Sequence, residues 1–294
     1  MTVKARVVRD DGQEMSFGDN EWRIPNEGLE NWATLPLEVS STEIPSYDGG
    51  IITSSRVKSQ DRSITAVCRD KNMDFWRSYA LKFFLPGRDY EVHLTYKGRT
   101  RWAKGKLIGF KASEWNIYKP VEIVFTILCP NPYLQSEGNF GKDIAQVSPR
   151  FGFPFMSFLP VSEGSVAGFN KGFIVSKYEF DQEVNINNDG DVPSGIKAVV
   201  RAQGKVTNPR LDIGAGYIRI LQTMQQGDEL TLDATSRPPV VELNGSNAMH
   251  LVDRDSSILN MMVAVGETTL SYSADDGYQN MSVAVYFNKQ YTGV

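Results

Sequence analysis

The chain has 294 residues, 41% hydrophobic and 22% charged, with a formal net charge of −4; this globular composition excludes a disordered, collagen-like or coiled-coil chain, and the length favours two domains. No apolar run reaches the roughly 18–20 residues that cross a bilayer, and the first residues lead into Asp10 and Asp11 without a hydrophobic signal core, so the sequence reads as one kept in the cytosol or released without a signal. Residues 1–135 hold 19 Lys+Arg against 17 Asp+Glu and residues 136–294 hold 12 against 18, so neither half has the basic excess that tight, general nucleic-acid binding requires.

Period-two alternation predicts a first strand at Lys4–Val8, and the same pattern returns at Ser63–Cys68, Glu91–Tyr96 and Val121–Ile127. After Cys68, Asp70 or Asn72 offers an N-cap, and Met73, Trp76, Ala80 and Phe83 recur at helical spacing before Pro86-Gly87. This predicts one amphipathic helix over 71–84 with its apolar stripe on a sheet. The stretch 97–111 carries six basic residues and no acid, and its glycines at 98, 105 and 109 predict a hairpin or bulged strands projecting basic side chains. Three readings stand for it: a solvated arm, a subunit contact in which charge complementarity fixes partner and register, or a sparse contact with passing DNA. The candidate interface residues are Arg99, Arg101, Trp102, Lys104 and Lys106.

Between about 130 and 165 the chain turns to Pro130, Pro132, Pro149, Pro154 and Pro160, a poor helix or central strand and a good junction. The domains are accordingly placed at 1–135 and 136–294, with the proline-rich junction opening the second. The cluster Phe151-Gly152-Phe153-Pro154-Phe155 is too apolar for a free linker and is expected to pack against a domain. Strand signals then recur at intervals of about ten residues, at Phe173–Val175, Ile196–Val200, Tyr217–Ile220, Glu229–Leu232, Val240–Leu243, Thr268–Tyr272 and Met281–Tyr286. With Asn-Gly, Asp-Gly and Gly-Asp turns between them, they predict an antiparallel sandwich without a helix. No repeat of fixed period points to a propeller or solenoid.

No catalytic, cofactor or metal site is assigned. His93 and His250 are the only histidines and neither adjoins a nucleophile motif, although a Ser-His-Asp set from distant residues stays open. Asp181, Glu183, Asn185, Asn187 and Asp189 alternate in an oxygen-rich tract that lacks the glycine and terminal glutamate of a calcium loop, and they read as solvated strand and turn. Cys68 and Cys129, 61 residues apart with no second cysteine at metal spacing, read as buried thiols. Gly98, Gly105 and Gly109 form no phosphate loop. Trp22, Trp32, Trp76, Trp102 and Trp115 all lie in the first half, which leaves a sugar site in the second half only Phe and Tyr as a platform.

In order, Arg62–Val67, the helix at 71–84, Phe84-Leu85-Pro86-Gly87, the basic strand pair near 99–109 and Cys129-Pro130-Asn131-Pro132-Tyr133 resemble the distal tail protein family of long, flexible-tailed bacteriophages. Asn188–Ile196, Gly204–Pro209, Gly227–Leu232 and Tyr278 through Gly293 extend the resemblance over nearly the full length. The departure is Val263–Leu270, where related chains carry Gly-Asn before the strand. The resemblance implies a mainly β, two-domain protein: a β-rich ring-forming domain with one helix, then a galectin-like antiparallel sandwich. It further implies a non-enzymatic virion protein of the tail tip, without cofactor, assembled in the host cytoplasm. Its partners would be itself in a ring, hexameric in that family, the tail tube protein, tail-tip and tape-measure-associated proteins and a receptor-binding protein, with DNA only in transit and no membrane. The rivals are a carbohydrate-binding module aiding host-surface adhesion and a glycan hydrolase, the latter requiring a carboxylate pair in a cleft.

Overall fold

The computed structural model describes residues 3–18, 21–44, 48–114, 119–137, 140–143, 145–149, 176–180 and 183–294. The Phe151–Phe155 cluster, the strand expected at Phe173–Val175, Trp115 and Asp181 lie outside the described residues. The chain forms two units, one of Met1–Gly138, Gly190–Val192 and Asn288–Val294, the other of Asn139–Asp189 and Pro193–Phe287. Both are mainly β and antiparallel.

The first unit contains β1 (Lys4–Arg9), β2 (Glu14–Phe17), β3 (Trp22–Arg23), β4 (Leu29–Glu30), β5 (Leu37–Glu43), β6 (Gly50–Val57), β7 (Gln60–Cys68), α1 (Met73–Phe83), β8 (Asp89–Tyr96), β9 (Arg99–Ala112), β10 (Glu122–Cys129) and β11 (Leu134–Ser136). Its main sheet runs β2-β1-β8-β9-β10-β7-β3, with β4 also on β7. Alternation gives the sheet one buried face, on which Val7, Val92, Leu94, Ile123, Phe125 and Ile64 are completely or almost completely buried. Burial of each such side chain contributes roughly 1.5–3 kcal/mol. Phe84 stacks on Phe125 and Phe110 at centroid distances of 4.5 and 4.9 Å, closing the helix end onto this face.

Helix α1 starts after Asn72, whose N–H donates to Asp70 Oδ1 at 2.6 Å, and buries Ala80 and Phe83. Its orphan C-terminal carbonyls are met from the sheet. Arg9 Nη1 donates to Phe83 O at 2.9 Å and to Lys82 O at 3.2 Å, and the Tyr90 hydroxyl donates to Phe83 O at 2.9 Å. Past Cys129, Pro130 and Pro132 interrupt the strand. β10 and β11 therefore run in succession along β9, the first against Lys106–Ala112 and the second against Arg101 and Trp102.

The second unit contains β12 (Phe140–Asp143), β13 (Ala145–Pro149), β14 (Ser176–Phe180), β15 (Glu183–Asn188), β16 (Ser194–Gly195), β17 (Lys197–Ala202), β18 (Val206–Thr207), β19 (Arg210–Ile213) and β20 (Gly216–Arg219). β21 (Thr223–Met224), β22 (Glu229–Asp233), β23 (Val240–Leu243), β24 (Ser246–Asn247), β25 (Met262–Val263), β26 (Gly266–Ser273) and β27 (Met281–Phe287) complete it. A six-stranded sheet, β12-β27-β17-β22-β23-β24, and a four-stranded sheet, β15-β26-β19-β20, share one core. Val200, Leu230 and Val283 of the first and Ile186, Leu211 and Leu270 of the second contribute to it, which is the expected antiparallel sandwich. The Asn244-Gly245 corner has φ of 52° and 75°, as a tight hairpin turn requires. Three single turns of 3-10 helix, Met249–Leu251, Ile258–Asn260 and Tyr278–Asn280, lie between strands.

The last strand, β28 (Gln290–Tyr291), belongs to the first unit, where it pairs with β11 in the register Leu134 with Tyr291 and Gln135 with Gln290. Gly190–Val192 joins it there: Asp191 N–H donates to Gln290 O at 2.8 Å, and Val192 bridges Gln290.

Candidate assembly surfaces

The basic strand forms as its turn residues dictate. Lys97 and Gly98, with φ of 49° and 77°, close the hairpin of β8 and β9, which sets Trp102, Lys104 and Lys106 opposite His93, Glu91 and Asp89. Lys104 Nζ lies 3.0 Å from Glu91 Oε1. The Trp102 ring stacks beside His93, and its Nε1 donates to Ser136 O at 2.9 Å. Arg101 points to the other side of the strand, where its guanidinium sits 3.8 Å over the Tyr291 ring and Nη1 donates to Gly293 O. Arg99 and Lys106 are exposed and form no ion pair among the described residues. Of the five candidates, Arg101 and Trp102 thus hold β11 and the returning chain end, Lys104 is paired across the hairpin, and two remain open to solvent.

The same return is fixed from Asp191. Its Oδ2 accepts from Thr292 N–H at 2.9 Å and from the Thr292 hydroxyl at 3.0 Å, while Ser136 N–H donates to Lys289 O at 3.0 Å.

A second surface was not anticipated from the sequence. Among the described residues β5 and β6 pair only with each other, outside the main sheet. Their register puts Leu37, Val39, Ile52 and Val57 on one face, and Leu37, Val39 and Ile52 are 66%, 55% and 67% exposed. On the opposite face Glu38 pairs with Arg56 at 2.7 Å and with Lys58 at 2.9 Å, and Ile51, across from Thr42, is exposed as well. The signal in the sequence is faint. Leu37-Glu38-Val39 and Gly50-Ile51-Ile52-Thr53 are strand-forming, but Ser40, Ser41, Ser54 and Ser55 blur the period, because no core face demands apolar residues there.

The residues considered for chemistry lie at separate places in the fold. His93 Nδ1 is 3.2 Å from Glu137 Oε1, which also approaches Arg6; His250 is exposed in a 3-10 turn. Glu183, Asn185 and Asn187 are the exposed positions of β15, alternating with buried Val184, Ile186 and Asn188. Among the described residues no group of three or more His, Cys, Asp or Glu side chains is placed to hold a metal ion. Cys68 and Cys129 are buried, and burial pushes both thiols up, Arg62 opposing it at Cys129. An open groove of about 700 Å³ in the second unit is lined by Pro193, Ile213, Ala215, Leu259, Met262 and Thr268 among others, with no aromatic ring among the described residues that line it. No helix among the described residues is long and apolar enough to cross a membrane.

Residues 189–291 match the family model of the siphovirus-type tail component, C-terminal domain. No curated protein matches the chain. Among solved structures, the chain is similar to the Dit protein of phage SPP1, described as a paradigm of the hub adsorption apparatus in phages that infect Gram-positive bacteria, with 11% identity and a TM-score of 0.63 over 96% of this chain and 98% of that one. It is also similar to a chain of the phage P2 baseplate in its activated conformation with Ca, with 9% identity and a TM-score of 0.51 over 100% of both chains. The corresponding baseplate structure with Sr gives 9% identity and a TM-score of 0.52, again over 100% of both chains. The resemblance seen in the residues is therefore met twice, by a matched tail-component domain and by a shared fold along nearly the whole chain.

Proposed function

We propose that this Dit-like tail component is a structural protein that closes into a ring of copies, joins the tail tube to the proteins of the tip, and leaves a channel for DNA. The observation that carries the reading is the β5–β6 hairpin. A lone two-stranded sheet is marginal in water, and this one exposes its apolar face instead of burying it in its own core. Such an element suits a heterologous contact, in which one copy's arm meets a different surface on the next; repetition of that contact closes a ring when the rotation allows. Arg99 and Lys106 of the basic strand enter as further contacts with an acidic face, Lys104 beside them, while Arg101 and Trp102 contribute by holding β11 in place. A lumen near neutrality lets DNA slide, where a strongly basic one would retain it. The second unit serves to dock neighbouring tip components. In this reading the protein works in the virion by holding neighbours, without turning over a substrate.

The test is light scattering on the full chain after size exclusion. Leu37→Ser combined with Ile52→Ser is expected to shift the particle from an oligomer to single copies while circular dichroism stays unchanged. An oligomer of unaltered mass in that variant would overturn the role given to the hairpin.

A further inference from the structure

We infer that the tip of the β5–β6 hairpin docks, in a second copy of this chain, into a pocket at the edge of the main sheet, where Glu43 and Asp48 meet Arg23 and Arg69. The inference rests on the self-assembly reading above and assigns that contact its partner surface.

The pocket arises from a break in the edge. β3 and β4 both pair with β7, Trp22 and Arg23 against Cys68 and Val67, Leu29 and Glu30 against Ile64 and Ser63. Pro25, which has no N–H to give the ladder, lies in the segment that leaves β7 between those two pairings. The gap is a pocket of about 420 Å³ lined by Arg23, Pro25, Asn26, Glu27, Val67 and Arg69. Arg23 and Arg69 are exposed, and neither forms an ion pair among the described residues. The lining holds two arginines and one acid, Glu27. The planar fork of arginine suits a carboxylate in particular.

The hairpin supplies carboxylates. Glu43 ends β5 and Asp48 precedes β6, so both sit at its tip, exposed and without an ion pair among the described residues. Its root is at the other end of β7 from the pocket: Lys58 N–H donates to Pro36 O at 3.0 Å just before Gln60, whereas the pocket lies at Val67 and Arg69. That separation is about 25 Å along the strand. The hairpin does not lie back along its own β7, since both of its faces are exposed. Tip and pocket are therefore complementary surfaces at different places on one unit, the requirement of a head-to-tail contact.

Charge reversal and rescue test it on the full chain by light scattering at low salt. Arg23→Glu with Arg69→Glu, and separately Glu43→Arg with Asp48→Arg, are each expected to raise the concentration for half-assembly about tenfold or more, and all four together to restore it to within about threefold. As an independent readout, copies carrying Asp48→Cys are mixed with copies carrying Asn26→Cys and treated with a short bismaleimide; a cross-linked pair of the two variants is expected, the native Cys68 and Cys129 being buried. Unchanged assembly in both reversal variants together with no cross-link overturns this docking and leaves self-assembly standing. A wild-type chain that remains single at all concentrations overturns both.

Discussion

Arg9 shows how much one side chain can organise. It is buried in β1, with its guanidinium 5.5 Å from the Phe83 ring, and it binds the carbonyls that end α1 while Nη2 reaches Asp11 Oδ2 at 2.6 Å. The hydrogen bond from Arg9 holds the Asp11 carboxyl below the ordinary carboxylate range, at about 2. A carboxylate lowered in the folded state stabilises fully above its unfolded range and loses that contribution as pH falls through about 2. Asp11→Asn is therefore expected to lower the urea midpoint at pH 7, and the difference from wild type should vanish near pH 2. Arg62 has a comparable role on β7: fully buried, it donates to Pro132 O at 2.7 Å and lies 5.5 Å from the Trp32 ring, fixing the corner between β10 and β11. The apolar core positions were legible from period two. These arginines were not, because an arginine in an alternating strand reads as solvent-facing until its distant carbonyl partners are known.

At the scale of elements, legibility followed how each element is partnered. β1, β7, β8 and β10 each have one face on a core and one facing away, so alternation is written into them, and α1 appears at Met73–Phe83 within the expected 71–84. β3, β4, β11 and β28 are two or three residues long, too short to show a period. β5 and β6 lack a core face and so lack the pattern. β9 carries two devices that only pairing explains. The register shifts at Ile127, leaving Ile108 as an extra residue, and Gly105 passes so close to β10 that a Cβ there would meet Leu128 O at 2.6 Å. Gly105→Ala is expected to cost roughly 1–3 kcal/mol, because backbone must move against backbone, and urea unfolding of the full chain measures it.

At the scale of the molecule, the chain's connectivity is the main finding. The first unit is completed by Gly190–Val192 and Asn288–Val294, which follow stretches of the second unit in sequence. Removal of residues 288–294 takes away β28, the Tyr291 ring under Arg101 and the Thr292 bonds to Asp191. The expected result is a fall of about 5 °C in the thermal midpoint of the first unit. Tryptophan fluorescence reports it, because Trp22, Trp32, Trp76 and Trp102 all lie in that unit.

The sequence by itself determined the β-rich class, the single amphipathic helix, the sandwich of the second half and the resemblance to distal tail proteins, because these rest on local periodicity, turn chemistry and the order of short motifs along the chain. Tertiary structure alone decided that Arg101 and Trp102 secure β11 and the chain's return, that β5 and β6 stand outside the main sheet with an apolar face uncovered, and that a break beside β7 opens a pocket between two arginines. Each of those depends on contacts between residues far apart in sequence, and no local pattern specifies a partner that lies nearly two hundred residues away or an apolar surface left uncovered among the described residues.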